Sequence, residues 1–108
     1  MNRPVDDESL VRRAEALASA LKTYGRVLAT AESCTGGWIA KVCTDLAGSS
    51  AWFDRGLVTY SNRAKTEELG VRPVTLDRFG AVSEMVVAEM VRGARDAAHA
   101  DYAVSYTH

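Results

Sequence analysis

The sequence has few of the residues that mark disulfide-rich, membrane-spanning or nucleic-acid-binding proteins. It has only two cysteines, Cys34 and Cys43, which are too few for a disulfide framework and indicate a reducing, cytoplasmic setting. Its longest apolar run is far short of the ~18 residues that a membrane-spanning helix needs, and its polar N-terminus lacks the apolar core of a signal peptide. The formal net charge of −1 argues against a nucleic-acid-binding module.

Histidine is almost as scarce, which limits the kinds of catalytic site that the chain can build. His99 falls near the end of the last predicted helix, where it can stabilise the helix C-terminus. His108 is the final residue and is predicted to be disordered. A Ser–His–Asp triad is therefore not expected, and an activated serine needs another base.

The residues that are present suffice for one folded domain with a real core. The chain is 47% hydrophobic and 25% charged over 108 residues, and we expect one domain over 1–108 with the polar residues 1–8 flexible. Apolar spacing and turn residues predict helices over 10–25 and 36–48, a short helix over 63–69 that Ser61 and Asn62 cap and Gly70 ends, and a helix capped by Ser83. They also predict strands over 27–31 and 55–60 and from Tyr102, and an irregular link over 71–80 broken by Pro73.

This alternation of helices and apolar strands predicts an α/β fold with a mostly parallel sheet covered on both faces. The carboxyl ends of parallel strands meet at one edge of the sheet, where ligands bind in open α/β folds. The first strand runs into TAESCTGGWIAKV and the second into TYSNRAK. We therefore expect Ser33 to lie beside Tyr60 and Lys65, although 32 residues separate Ser33 from Lys65.

These side chains could perform nucleophilic chemistry. A serine hydroxyl needs a base, and a neutral Lys65 could take its proton, with Tyr60 relaying the proton or bonding the serine oxygen. The amides around Gly36 and Gly37 open a helix and could hold an oxyanion or a phosphate.

Plain structural interpretations stand beside each of these. A serine–threonine–glycine corner is a weak signal, because many helix caps look alike. Lys65 could be a solvated lysine, Tyr60 a half-buried strand aromatic, and the two glycines a means of close packing. Thr35 could be a helix cap, and Cys34 a buried thiol rather than a rival nucleophile. Glu32 could accept a hydrogen bond from a ligand or form an ion pair with a cation. Arg55 could bind a phosphate or be a surface residue.

A resemblance to a known family favours the catalytic interpretation over the structural ones. The sequence from Thr30 to Val71, followed by GAVSEMVVAEM and ADYAVS, resembles the CinA C-terminal domain family, which includes nicotinamide-nucleotide amidases. The resemblance implies a three-layer α/β/α sandwich whose parallel strands we expect in the order 2-1-3. It implies hydrolysis of the carboxamide of nicotinamide mononucleotide in pyridine-nucleotide salvage, without a metal or cofactor, by an enzyme that forms dimers or larger oligomers.

The resemblance also suggests site residues and one departure from the family pattern. It implies that Ser33 is the nucleophile and that Tyr60 and Lys65 complete a serine–lysine/tyrosine site. Relatives continue after the third strand into a glycine-rich loop and further strands, which this chain of about two-thirds the usual length lacks. The alternative is a non-catalytic relative that binds a nucleotide or another protein.

Overall fold

Three parallel strands form the centre of the molecule, with helices on both of their faces. The computed structural model describes residues 6–107. The elements are α1 (Asp7–Tyr24), β1 (Leu28–Glu32), α2 (Trp38–Thr44), a 3-10 turn (Ser49–Ala51), β2 (Phe53–Val58), α3 (Asn62–Leu69), α4 (Pro73–Phe79), α5 (Glu84–Ala98) and β3 (Tyr102–Tyr106).

Strand β1 lies in the middle, and both neighbours run parallel to it in the order β2-β1-β3. Its last residue, Glu32, stands opposite Val58 on one side and Tyr106 on the other, so all three strands end at one edge. Every residue of β1 is buried, as expected for a central parallel strand. The predicted α/β class, parallel sheet and strand order are confirmed.

Alternate residues of β1 enter two separate cores. Leu28 packs with α1, α2 and the fully buried Trp52 on one face. Ala31 packs on the other face against α3, α4 and α5, where Val86 and Met90 are completely buried. The second core brings α3 against the sheet, and α3 is the helix that carries Lys65.

Helix α3 also packs very closely on α5. A Cβ atom added at Gly93 of α5 would lie 1.9 Å from the carbonyl oxygen of Leu69, the last residue of α3. Such a distance is far inside van der Waals contact, and the obstructing atom belongs to the backbone. Only glycine therefore permits this approach of the two helices.

The prediction of an irregular link over 71–80 was wrong. Residues 73–79 form helix α4, with Pro73 at its first position. Proline is favoured there because the first amide of a helix has no partner within the helix and the fixed φ suits a helical start. The sequence analysis treated Pro73 as a helix breaker, although it begins a helix.

Other boundaries shifted by a few residues. Helix α1 begins at Asp7 because the Asp6 carboxylate accepts the Ser9 amide at 2.7 Å, so residues 7 and 8, which we expected to be flexible, are helical. Helix α2 starts at Trp38 and stops at Thr44, inside the predicted 36–48. The predictions for residues 1–5 and His108 lie outside the described residues.

Strands β2 and β3 are the two edge strands of the sheet, and within residues 6–107 each of them pairs with β1 alone. On β3, the side chains of Tyr102, Val104 and Tyr106 are all exposed on the same face of the strand. Within 6–107, no helix combines the length and the apolar character required to cross a bilayer.

Candidate active site

Ser33 follows directly after the last residue of β1 and is held by both neighbouring strands. Its amide donates to the Tyr106 carbonyl at 3.1 Å, and the preceding Glu32 carbonyl accepts the Thr59 amide at 2.9 Å. Ser33 is 8% exposed, so the residue is largely sheltered from solvent at the carboxyl end of the central strand. The parallel ladders therefore position the nucleophile candidate through backbone contacts.

Lys65 reaches Ser33 from helix α3. The Ser61 hydroxyl caps this helix by accepting the Ala64 amide at 3.0 Å, which places Lys65 in the first turns with its side chain directed inward. Its Nζ donates to the Ser33 Oγ at 3.0 Å and to the Thr59 carbonyl at 2.9 Å. The predicted proximity of Ser33 and Lys65 is thus present in the structure.

The environment of Lys65 disfavours its charge. The residue is 2% exposed, and neither of its two hydrogen-bond partners is a carboxylate. Burial lowers the pKa of Lys65 from its ordinary value, and the nearby Cys34 thiol, when ionised, opposes that change. A neutral amine 3.0 Å from a hydroxyl is positioned to accept its proton.

Glu32 has a different surrounding from the one the sequence suggested. It is completely buried, and its carboxylate accepts from the Thr35 hydroxyl at 2.6 Å, the Ile39 amide at 2.9 Å and the Ala40 amide at 3.0 Å. These three contacts are with residues of the turn and of helix α2, so the Glu32 carboxylate and the proton of the Thr35 hydroxyl are engaged within the fold.

The Glu32 charge also affects a neighbouring thiol. Burial raises the pKa of Cys43, and the negative charge of Glu32 raises it further. Cys43 is buried and Cys34 is exposed, and both are free thiols. The prediction that Cys34 is buried is therefore wrong.

The two glycines shape the turn, but they supply fewer free amides than predicted. Gly36 and Gly37 have φ angles of 63° and 101°, in the region that favours glycine. The Gly36 amide donates to the Ser33 carbonyl at 3.0 Å and is therefore engaged. Within the described part of the chain, the turn amides without an acceptor are those of Cys34, Thr35 and Gly37.

The structure does not bring Tyr60 and Arg55 into contact with Ser33. Tyr60 is 73% exposed, and its hydroxyl has no hydrogen-bond partner among residues 6–107. Arg55 pairs in register with Ala29, three residues before the end of β1, and its guanidinium contacts the Asp54 carboxylate at 2.7 Å. Arg55 therefore lies away from the carboxyl edge of the sheet.

The sequence analysis missed the contribution of Thr59. Its carbonyl anchors the Lys65 amine, and its amide bonds the strand that carries Ser33. A backbone carbonyl in this role has no signature in the sequence, because any residue type can supply it.

His99 lies outside the candidate site, since it caps the C-terminal end of α5 with a φ of 52°. Residues 6–107 contain no group of three or more metal-ligating side chains.

A parallel α/β/α domain with a buried serine–lysine pair at the carboxyl edge of its sheet is therefore the class that the fold and site define. The CinA C-terminal domain model matches residues 11–107. The chain belongs to the CinA C-terminal domain family.

Relatives named nicotinamide-nucleotide amidohydrolase PncC resemble the chain closely but are longer. It is 62% identical over 99 residues to the nicotinamide-nucleotide amidohydrolase PncC of Escherichia coli K12, covering 92% of this chain and 60% of that protein. It is 52% identical over 89 residues to PncC of Pseudomonas putida, covering 82% and 56% respectively. The chain thus spans about 60% of the length of the first of these relatives.

Solved structures agree with the fold. A CinA superfamily protein from Escherichia coli matches 98% of this chain and 62% of its own with a TM-score of 0.91 at 35% identity. The competence/damage inducible protein CihA from Agrobacterium tumefaciens matches 97% and 62% with a TM-score of 0.88 at 43% identity.

Proposed function

We propose that this chain carries the serine–lysine pair of a nicotinamide-nucleotide amidohydrolase site. The reaction is nicotinamide mononucleotide plus water giving nicotinate mononucleotide and ammonia, a step in pyridine-nucleotide salvage. The observation that carries the proposal is the buried contact of 3.0 Å between the Lys65 Nζ and the Ser33 Oγ. The names of the relatives supply the substrate, since PncC is a nicotinamide-nucleotide amidohydrolase.

In the first half of the reaction, the Ser33 oxygen attacks the carboxamide carbon while its proton passes to neutral Lys65. The tetrahedral intermediate collapses with cleavage of the C–N bond, and protonated Lys65 returns the proton to the leaving nitrogen, which departs as ammonia. An ester between Ser33 and the nicotinoyl group remains.

In the second half, water attacks the ester and gives a proton to Lys65. The second intermediate expels the Ser33 oxygen, which recovers the proton, and nicotinate mononucleotide is released. Each intermediate carries a negative oxygen, and the unengaged amides of Cys34, Thr35 and Gly37 are the donors available to it in the turn. Tyr60 is proposed to contact the substrate from its exposed position.

Two further properties belong to the same proposal. The exposed face formed by Tyr102, Val104 and Tyr106 on an edge strand supports self-association into a dimer or a larger oligomer. The free thiols Cys34 and Cys43 suit a cytoplasmic setting.

The test is ammonia release from nicotinamide mononucleotide by the purified chain and by Ser33→Ala. We expect the variant to lose activity on the order of 10⁴-fold or more, because Ser33 is the side chain that Lys65 hydrogen-bonds within residues 6–107. Its melting temperature should stay near that of the parent chain. The assay should be repeated on a chain extended to the length of the relatives.

Full turnover by Ser33→Ala would remove Ser33 from the mechanism. Nucleotide binding without ammonia release, in both the given and the extended chain, would replace the proposed enzyme with a binding module.

A further inference from the structure

We propose that Glu32 is a positioning residue, whose buried carboxylate holds the turn that presents Ser33 to Lys65. This inference rests on the proposed function. It assigns Glu32 no contact with substrate and explains why a completely buried acid directly precedes the nucleophile.

The carboxylate connects both ends of the turn from Ser33 to Gly37. Its Oε1 accepts the Thr35 hydroxyl at 2.6 Å and the Ile39 amide at 2.9 Å, and its Oε2 accepts the Ala40 amide at 3.0 Å. Glu32 also fixes the end of β1 through its carbonyl, which accepts the Thr59 amide at 2.9 Å. The turn is therefore anchored to the strand before it and to the helix after it.

The negative charge fits this role because helix α2 begins without a side-chain cap. Its preceding residue is Gly37, which offers no acceptor, so the first amides of α2 need partners from elsewhere. Glu32 accepts two of these amides and places a full negative charge at the positive end of the helix.

Three donors converge on two oxygens, which a carboxylate satisfies and an amide cannot. In Glu32→Gln, a side-chain NH₂ group must face the Ala40 amide or the pair formed by Thr35 and Ile39. We expect the turn to shift and to carry Ser33 out of alignment with Lys65. Misplacement by about 1 Å can reduce a rate by about 10²-fold.

The experiment measures kcat and KM for Glu32→Gln, Thr35→Val and Thr35→Ser. We expect Glu32→Gln to lower kcat by on the order of 10²-fold with KM changed less than about twofold. Thr35→Val removes one donor to the carboxylate and should lower kcat less, whereas Thr35→Ser restores that donor and should recover it. The threonine pair also keeps the test open if Glu32→Gln does not fold.

Glu89→Gln is the matched control for a purely structural loss. Glu89 accepts the Thr75 hydroxyl at 2.6 Å and the Arg72 amide at 2.8 Å, a similar set of contacts in a cluster formed by α4 and α5. We expect this variant to be less stable but to keep its kcat when assayed well below its melting temperature. A loss of kcat in Glu89→Gln equal to that in Glu32→Gln would overturn the inference.

Two other results would also contradict the positioning role of Glu32. An increase in KM with unchanged kcat in Glu32→Gln would indicate substrate contact, and wild-type kinetics would leave the carboxylate without a role in alignment.

A second measurement separates this inference from the proposed function. Methanesulfonyl fluoride modifies an activated serine whatever its natural substrate, and peptide mapping locates the sulfonyl group. If the parent chain is labelled at Ser33 without releasing ammonia, the proposed substrate fails while slower labelling of Glu32→Gln still supports the positioning role. Equal labelling rates, or an unlabelled Ser33 in the parent chain, would overturn it.

Discussion

The two buried ionisable side chains that flank Ser33, Glu32 and Lys65, have opposite surroundings. Glu32 is met by three donors, which stabilise its negative charge. Lys65 donates to one carbonyl and one hydroxyl, and burial lowers its pKa, so its surroundings favour loss of charge. Both residues are almost completely hidden from solvent. Burial alone therefore does not identify a reactive group, whereas the contacts that favour or oppose its charge do.

The largest expected effect comes from removing the amine. Lys65→Met keeps much of the side-chain volume but lacks a base, so we expect kcat to fall on the order of 10³-fold or more. The same change should stabilise the fold at neutral pH, because it removes a buried amine whose charge the surroundings disfavour. Ammonia release and chemical denaturation measure the two effects.

The stability difference between Lys65→Met and the parent chain should depend on pH in a definite direction. The pKa of Lys65 is lowered in the folded state, so the unfolded chain binds more protons between that pKa and the ordinary value of 10.5. Stability contributed by this group therefore rises with pH across that window. The advantage of Lys65→Met should shrink as the pH approaches 10.5. An advantage that stays constant with pH would indicate that the pKa of Lys65 is not lowered in the folded state.

An intermediate effect is expected at Glu89, whose contacts resemble those of Glu32 but lie in the scaffold. Glu89→Gln should lower the free energy of unfolding by about 1–2 kcal/mol near pH 7, since it weakens charged hydrogen bonds to Arg72 and Thr75. The Arg72 amide, chiefly, lowers the pKa of Glu89. Its contribution is thus fully present above the unfolded pKa and is lost as the pH falls through the folded pKa.

Urea denaturation of both proteins from neutral to acid pH measures this dependence. The two stabilities should converge at low pH, where the native carboxyl is protonated. Curves that remain parallel throughout the range would contradict the assigned role of the charge.

The smallest effect is expected at Arg55. Its position beside Ala29 in the register and its contact with Asp54 place it away from Ser33. Arg55→Ala should change KM for nicotinamide mononucleotide and kcat by less than about twofold, as is usual for exposed side chains outside a site. A tenfold rise in KM would return Arg55 to the phosphate-binding role that the sequence suggested.

The sequence predicted those parts of the site that depend on strand direction. Apolar strands separated by helices indicated a parallel sheet, and a parallel sheet predicts that Ser33 lies beside Lys65, as it does in the structure. The sequence did not predict the three hydrogen bonds that the Glu32 carboxylate accepts, because a glutamate within a buried strand has no periodic signature. Helix α4 was missed for a related reason, since Pro73 favours both the start of a helix and a break in one.

The close packing of Gly93 on Leu69 has a consequence for how this protein can vary. A methyl group at that position would push α3 outwards and withdraw its amine from the serine, although neither reactive residue had changed. A substitution of Gly93 is thus expected to weaken the contact between Lys65 and Ser33, although Gly93 takes no part in that contact. A compensating substitution would have to come from helix α3, which packs against Gly93.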